Sequence, residues 1–286
     1  AIVDYGLFHP HKVEFEIVFS CYTLDLPQRL ESLADAGFST EDRVAIADSL
    51  RQLTNRIVHP KKGLWRADAA KLDTLNERRE TLLNSDADPI ERIYWLLEDI
   101  KRYGTLPFAG LARAGFIAVQ MVRSLVAVGV FSEQDYDSFM NSTSTIGGQL
   151  TRDRALLDKD TFIGRYGHLR PGTYDVLSPR YDETPDLYFD WTQNPPVPDS
   201  SEPFSLKLTQ LRDVVTLLEK HDLESDGVKL FDFLQAGIEL RELSKFYFTR
   251  NLSDLLSYAS SFGKKWGFSK EDIAYCDIAA FKELYV

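Results

Sequence analysis

Residues 88–104 read DPIERIYWLLEDIKRYG, and this stretch indicates the fold class of the whole chain. Asp88 followed by Pro89 is a typical helix start, because aspartate is a good N-cap and proline fits the first helical position. The apolar side chains that follow recur at intervals of three and four residues, which places them on one face of a helix. They are Ile90, Ile93, Tyr94, Leu97 and Ile100. Gly104 predicts the end of this helix.

Similar helix starts recur along the rest of the chain. Three serines each precede an aspartate by three residues, which is a capping-box-like start with Asp in the place of Glu. The pairs are Ser39 with Asp42, Ser132 with Asp135, and Ser269 with Asp272. Strand signals are sparse, and only the alternating apolar residues of segment 13–19 allow a short strand near the N-terminus. We therefore predict an all-α fold, an irregular bundle of many helices.

Two neighbouring segments interrupt the helical pattern. Residues 166–203 form a predicted long loop rich in Gly, Pro, Arg and Tyr, and prolines are concentrated in its last part, 192–203. Such a proline-rich stretch is typical of a linker or surface excursion. We predict a single helical domain over 1–286, with a larger part over 1–191, a linker over 192–203 and a helical tail over 204–286.

The composition limits the classes of function. The 286 residues include 33 Lys and Arg against 44 Asp and Glu, so the net charge is −11. A surface this acidic repels nucleic acid and anionic lipid. The two cysteines, Cys21 and Cys276, form no metal-binding or redox pair, which is typical of a reducing compartment. The most apolar stretch, 106–131, is interrupted by charged residues and makes a poor membrane span. We predict a cytoplasmic protein that binds neither nucleic acid nor membrane.

The sequence lacks the common self-sufficient catalytic motifs. It contains no GxxxxGK[ST] phosphate loop, no HExxH zinc motif, no EF-hand loop and no GxSxG nucleophile elbow. Of the five histidines, only His9 and His11 are close in sequence. We therefore predict no catalytic residue, no metal ligand and no cofactor in this chain.

One group of candidate residues lies on the apolar helical stretch 106–130. Arg113, Gln120 and Arg123 are its polar exceptions, and their spacing places them on one stripe of the helix. One interpretation is that they meet internal carboxylates, since buried charges are normally paired. The other is that the stripe faces a cavity and holds an anionic ligand.

The long loop carries a second group of candidates. Arg170 and Arg180 offer guanidinium groups, His168 a titratable ring and Tyr174 a phenol, on a path that prolines stiffen. Such a loop suits the binding of an anion or a sugar. The alternative is a structural loop whose arginines cap the C-termini of helices.

A third group lies in the helical stretch 239–250. Arg241 and Lys245 are spaced four residues apart, and Glu242 is within reach of Lys245 on a helix. A solvated face of ion pairs is one interpretation. Support of an anion site is the other.

Several stretches resemble a known enzyme superfamily. Residues 165–175 read RYGHLRPGTYD, and residues 101–109 read KRYGTLPFA. Together with HKVEFEIV at 11–18, RELSKF at 241–246 and TRNLSD at 249–254, they resemble the phosphoenolpyruvate-utilising phosphotransferases. That superfamily includes phosphoenolpyruvate synthase, pyruvate phosphate dikinase and rifampicin phosphotransferase. The similarity extends over nearly the whole chain from about residue 11.

The resemblance implies a role within a larger enzyme. In such proteins an ATP-grasp-type domain comes first, a helical middle region follows, and a swivelling domain with a phosphorylated histidine comes last. This chain resembles the middle region only. The resemblance implies that the chain binds a small-molecule phosphate acceptor, that its partners are the other two domains of the same polypeptide, and that it is inactive alone. ATP or phosphoenolpyruvate and Mg are expected only for the complete enzyme. His168 lies outside the phosphohistidine motif, so that role is not assigned to it.

The candidate ligand-binding residues follow from both lines of reasoning. His168, Arg170, Tyr174 and Arg180 are expected to contact the anion or acceptor. The supporting residues are Arg113, Gln120, Arg241 and Lys245. The alternative function is a stand-alone helical binding or scaffolding protein that keeps the fold without the chemistry. An independent enzyme that uses His168 as a general base is a third hypothesis.

Overall fold

The computed structural model describes residues 19–193, 195–196 and 204–285. Every regular element in these ranges is helical, which confirms the all-α prediction. The candidate strand near the N-terminus falls on 13–19 and lies, except for Phe19, outside the described residues. The predicted long loop is also confirmed where the structure describes it, with one four-residue helix inside it.

The helices are as follows in chain order. They are α1 (Leu26–Leu30), α2 (Thr40–Val58), α3 (Leu64–Leu83), α4 (Pro89–Asp99), α5 (Leu106–Ala127), α6 (Glu133–Ser142), α7 (Ile146–Leu156), α8 (Lys159–Tyr166), α9 (Pro185–Tyr188), α10 (Leu208–Lys220), α11 (Gly227–Lys265), α12 (Lys270–Ala274) and α13 (Ile278–Glu283). A 3-10 turn, Glu31–Leu33, follows α1. A π-helical segment, Ile100–Thr105, joins α4 to α5.

The helix starts follow the local sequence signals. Ser39, Ser132 and Ser269 each form a full capping box with the aspartate three residues later, at the starts of α2, α6 and α12. The Asp88 carboxylate accepts the backbone N–H groups of the first turn of α4, where Pro89 follows it. Each cap satisfies N–H groups that have no partner inside the helix.

The predicted helix end at Gly104 is wrong. The chain continues through the π-helical segment into α5, so that residues 89–127 are helical without interruption. Gly104 lies against α11, where a Cβ atom in its place would sit 2.7 Å from the Cβ atom of Phe248. The absence of a side chain at Gly104 therefore allows two helices to pack closely, and the residue does not end a helix.

The helical stretch 89–127 is long and apolar enough to cross a membrane by length and composition, and its most apolar window has a mean hydropathy of 1.3. Within the protein, 44% of its most apolar window is buried. A single helix of this kind is weak evidence of a membrane span, because the core helix of a water-soluble protein passes the same test.

The chain forms two compact units, each assembled from three segments. Unit 1 consists of 1–66, 113–143 and 201–238, and unit 2 consists of 67–112, 144–200 and 239–286. This division does not follow the linker predicted at 192–203, since the helical tail contributes to both units. The units are described one at a time below.

Unit 1 contains a cluster of four phenylalanines. They are Phe131, Phe139, Phe204 and Phe231, and five of their pairs have ring centroids between 5.3 and 6.5 Å apart. These distances are typical of aromatic pairs that add to the energy of burial. The segment before α1 is joined to this unit by the backbone N–H of Tyr22, which donates to the Thr54 hydroxyl at 2.8 Å.

Unit 2 is built on two apolar clusters. The larger cluster joins α3, α4, α11, α12 and α13 with the long loop. Its buried members are Leu75, Ile93, Leu96, Ile100, Val176, Phe248, Leu255, Ala259, Ile273 and Phe281. The smaller cluster joins α8 to α11 through Phe162, Tyr166 and Phe246. The long loop and the middle of α11 therefore lie on a packed support.

Candidate anion-binding site

The loop after α8 turns back along its own first residues. Gly167 donates its N–H to the Ile163 carbonyl at 2.7 Å, and a Cβ atom on Gly167 would lie 2.4 Å from that oxygen. A larger residue does not fit this position. Further along, Asp182 N–H donates to the Gly167 carbonyl at 3.1 Å and Tyr181 N–H to the Leu169 carbonyl at 2.9 Å. The return of the chain places residues 180–182 beside the start of the loop.

Arg170 connects this loop to α11. Its Nη1 donates to the carbonyl oxygens of Asp175 and Ser178 at 3.2 and 3.1 Å. Its Nε and Nη2 donate to the Ser253 hydroxyl and carbonyl at 3.2 and 3.4 Å, and Nη2 also lies 3.5 Å from the Ser257 hydroxyl. The residue is only 7% exposed. A ligand could therefore reach Arg170 only by displacing bonds that hold the loop, which makes Arg170 a positioning residue.

Arg180 and Arg79 hold the carboxylate of Asp254 from two sides. Arg79 Nε and Nη2 donate to Asp254 Oδ2 at 2.9 and 2.5 Å, and Arg180 Nη1 donates to Asp254 Oδ1 at 2.9 Å. Arg180 also binds both carboxylate oxygens of Asp182, at 2.9 and 2.6 Å. Burial disfavours the charge of Arg180, but the hydrogen bonds to Asp182 and Asp254 outweigh this effect and raise its pKa. Both guanidinium groups are thus fixed in position by hydrogen bonds to carboxylates.

A cavity of about 290 Å³ lies against this cluster. It is lined by Arg79, Leu83, Arg180, Asp254, Ser257, Tyr258 and Ser261. The wall therefore offers two guanidinium groups, one carboxylate and three hydroxyls. The Tyr258 hydroxyl accepts a hydrogen bond from Arg92 Nη1 at 2.8 Å, which leaves its own proton for donation. This set of groups suits a small anion that also carries a hydroxyl or carbonyl oxygen.

His168 is a buried residue with charged side chains of unit 2 nearby. Burial lowers the pKa of His168 to about 3, and the nearby charges of Arg250 and Arg180 act in the same direction against the opposing effect of Asp254. The imidazole is therefore neutral at neutral pH. It lies 4.7 Å, between ring centroids, from Phe246 in an edge-on contact.

Several buried polar atoms of unit 2 have no hydrogen-bond partner in the part of the chain that the structure describes. They are His168 Nε2, Thr184 Oγ1, Arg250 Nε and both side-chain amide atoms of Asn251. Asn251 is fully buried, and Arg250 donates to Asn76 Oδ1 at 2.6 Å through Nη2. Unpaired polar atoms are rare in protein interiors, and water or a bound ligand normally satisfies such groups.

Three other candidates in unit 2 do not line the cavity. Tyr174 is 69% exposed on the loop. On α11, Arg241 is half-buried and Lys245 is exposed. The acidic residue between them, Glu242, accepts the backbone N–H of Gly147 at 3.3 Å and so helps to start α7. The structure therefore brings Arg180 to the cavity, with Arg170 behind it, but not these three residues.

The predicted stripe on α5 lies in unit 1 and is largely exposed. Arg113 is exposed and Gln120 is half-buried. Arg123 is 53% exposed, pairs with Glu133 at 3.3 Å and lies 3.8 Å from the centre of the Tyr136 ring. Pairing with internal carboxylates is therefore wrong for Arg123, since both partners of its ion pair face solvent.

The sequence reasoning missed Arg79, Asp254, Asn251 and Arg250. The last three lie in or next to TRNLSD, one of the stretches that carry the resemblance, where Arg250 and Asp254 are spaced four residues apart. That spacing was a usable signal for a shared helix face. Arg79 had no such signal, because it reaches Asp254 from a helix distant in the sequence.

No group of three or more His, Cys, Asp or Glu side chains suited to a metal ion occurs among the residues that the structure describes. The two cysteines, Cys21 and Cys276, are free thiols. Comparisons of the chain with protein-family models, with characterised proteins and with solved structures gave no significant match.

Proposed function

We propose that the chain is the helical acceptor-binding and positioning domain of a phosphoenolpyruvate-utilising, phosphoenolpyruvate synthase-like phosphotransferase. The observation that carries this proposal is the Arg79–Asp254–Arg180 cluster beside a cavity of about 290 Å³. The sequence resemblance supplies the reaction class, a transfer of the kinase or dikinase type in the cytoplasm. The cluster supplies the chemistry that binds a small acceptor with a carboxylate or phosphate group.

Guanidinium groups suit such an acceptor for geometric reasons. Each presents five N–H groups in a planar fork that matches the oxygens of carboxylate and phosphate. Arg79 directs two of these groups to Asp254, which fixes its plane. The two arginines face two carboxylates, Asp254 and Asp182, so binding of an anion would rest on the fixed N–H groups in the wall of the cavity and not on an excess of positive charge. One hydrogen bond to a charged group contributes about 1.5–3 kcal/mol, or roughly ten- to a hundredfold in affinity.

In this proposal, the other domains carry out the transfer of the phosphoryl group to and from the phosphohistidine. ATP or phosphoenolpyruvate and Mg would act there, together with the phosphohistidine. Residues of this chain bind and orient the acceptor, with the hydroxyls of Ser257, Tyr258 and Ser261 as further hydrogen-bonding groups. We assign no catalytic residue to this chain, and neutral His168 has a structural role in it.

The test is an Arg79→Gln substitution in the complete polypeptide. We expect formation of the phosphohistidine to continue while transfer to the acceptor falls at least tenfold, because only acceptor binding is impaired. Lys71→Gln is the matched control, since Lys71 is a cation of the same helix that pairs with Asp68 instead. Unchanged transfer in the Arg79 variant would exclude the cavity as the acceptor site.

A second candidate function, stand-alone binding or scaffolding, is favoured by the apolar side chains exposed near the C-terminus. Trp266 is 71% exposed, Phe268 55% and Tyr275 93%. Exposed apolar groups of this size are typical of interaction surfaces. An immunoblot of the source cells separates the two functions. A band far above 32.7 kDa supports the domain of a larger enzyme, and a band at 32.7 kDa supports the stand-alone protein.

A further inference from the structure

Unit 1 contains a separate cavity of about 560 Å³. It lies between the beginning of α1 and the C-terminal ends of α5 and α10, and its lining includes Leu24, Asp25, Arg29, Leu217, Lys220 and His221. Its volume is within the range of about 300–1,000 Å³ that is usual for small-molecule sites. None of its lining residues belongs to the anion-binding site of unit 2.

The wall of this cavity carries both signs of charge. Arg29 and Lys220 are cations, and the Arg29 guanidinium lies 5.2 Å from the centre of the Phe19 ring. Asp25 supplies a carboxylate, and its Oδ1 accepts the Thr23 hydroxyl proton at 2.6 Å. A ligand with only one charge would leave one of these groups unmatched.

Two helix ends add partial negative charge to the same wall. Ala127 is the last residue of α5, and Val128 follows it; both line the cavity. Lys220 and His221 mark the end of α10 in the same way. Most of the last carbonyl groups accept N–H groups of the residues that follow, but the helix dipole still leaves partial negative charge at both ends. Together with Asp25 they suit an ammonium group.

His221 makes one side of the cavity rigid. Its Nδ1 lies 2.8 Å from the Tyr22 hydroxyl, and the two rings meet edge-on at 5.7 Å between centroids. Burial lowers the pKa of His221, with further contributions from Lys220 and Arg51, and burial also raises the pKa of Tyr22. The pair is therefore neutral at neutral pH. The half-buried Leu217 and Val128 supply apolar surface, whereas Leu24 is 1% exposed and offers a ligand almost none.

We propose that this cavity binds a free α-amino acid with an apolar side chain. Arg29 and Lys220 receive the carboxylate, Asp25 receives the ammonium group beside the two helix ends, and Leu217 and Val128 contact the side chain. Charges of both signs next to apolar surface match this class of ligand. A carboxylic acid without an amino group would leave the carboxylate of Asp25 unpaired, and an amine without a carboxylate would leave the two cations unpaired. The inference is independent of the phosphotransferase proposal, because it uses other residues in the other unit.

The test is calorimetric titration of the full chain with L-leucine and L-phenylalanine. We expect saturable binding of at least one of them, weakened at least tenfold by Lys220→Gln and by Asp25→Asn. Lys207→Gln is the matched control, since Lys207 lies at the opposite end of α10 and pairs with Asp135. Far-ultraviolet circular dichroism checks that each variant is folded, and Arg29→Gln replaces any variant that is not.

Two half-ligands test the assignment of the charges. 4-Methylpentanoate lacks the ammonium group of leucine, and 3-methylbutylamine lacks its carboxylate. We expect each to bind at least tenfold more weakly than L-leucine. No saturable binding of either amino acid would overturn the proposal. Binding of 4-methylpentanoate as tight as that of L-leucine would overturn it as well. So would unchanged amino-acid binding in both the Lys220→Gln and the Asp25→Asn variants. Arg79→Gln is expected to leave amino-acid binding unchanged, which separates this site from the one in unit 2.

Discussion

Arg170 illustrates, at the scale of single residues, the difference between a residue that binds a ligand and a residue that positions a loop. Its residue type and its place in a stiff loop predicted an anion contact, yet its N–H groups hold two loop carbonyls and Ser253 of α11. The sequence identified a functionally placed arginine without revealing what it binds. The partner on α11 is distant in the sequence, and only the folded chain brings it near.

Replacing Arg170 with lysine should destabilise the protein. A single ammonium group cannot reproduce the planar set of donors, so buried carbonyls lose their partners. We expect the free energy of unfolding to fall by about 2–4 kcal/mol in urea denaturation. Arg165→Lys is the control, because Arg165 is 50% exposed, and it should change stability by less than about 1 kcal/mol. Equal effects of the two substitutions would contradict the positioning role.

His168 makes stability depend on pH in a defined direction. Its folded-state pKa is about 3, below the ordinary value of 6.5, because burial and neighbouring arginines disfavour the charged ring. As pH falls below 6.5, the unfolded chain gains a proton that the folded chain does not accept. Stability is therefore lost as pH falls from about 6.5 towards 3.

The pH dependence can be measured through a His168→Gln variant. His168 alone should lower the free energy of unfolding by about 2 kcal/mol between pH 7 and pH 5. The variant lacks the titrating ring, so its loss over the same interval should be smaller by that amount. Urea denaturation at the two pH values gives both differences. An identical loss in the variant and the natural chain would show that His168 does not carry this effect.

At the scale of elements, local signals predicted helix starts well and the continuity between α4 and α5 badly. The capping serines Ser39, Ser132 and Ser269 act through bonds within one turn, so their effect can be recognised in the sequence. Gly104 acts through contact with Phe248 on a distant helix. Its meaning depends on tertiary packing, which a local pattern does not contain.

Two glycine-to-alanine substitutions test this account of Gly104. Alanine at 104 would place its Cβ atom 2.7 Å from Phe248 Cβ, so we expect a loss of about 1–3 kcal/mol in stability. Gly164 lies inside α8 with nothing within 4 Å of the equivalent Cβ position. Gly164→Ala should stabilise the protein by about 0.5–1 kcal/mol. Thermal denaturation shows whether each substitution raises or lowers the stability. A Gly104→Ala variant that is more stable than the natural chain would contradict the close packing of Gly104 against Phe248.

At the scale of the whole molecule as well, local sequence patterns predicted only part of the candidate site. The all-α class followed from repeated local periodicity, but each unit combines three segments that are distant in the sequence. Arg180 was predicted from the loop motif, whereas Arg79 joins it only because α3 and the loop meet Asp254 of α11 within unit 2. The predicted residues of α5 lie in the other unit and are largely exposed. Sequence motifs thus located part of the site, and the fold supplied the rest.

The net charge of the chain also affects the binding of anions. A net charge of −11 repels anions at long range, and the proposed site in unit 2 would have to bind them at short range against this repulsion. This binding depends on charged hydrogen bonds next to a cavity and should weaken as salt screens it. An anion would therefore be recognised by fixed contacts in unit 2.

The most direct measurement is calorimetric titration of the full chain with pyruvate, a small acceptor-type anion that carries a carboxylate and a carbonyl oxygen. The account predicts saturable binding that weakens with added salt, that falls at least tenfold in Arg79→Gln and that is unchanged in Lys71→Gln. Absence of binding, or equal affinity of the Arg79→Gln variant, would contradict the claim that the Arg79–Asp254–Arg180 cluster is an anion-binding site.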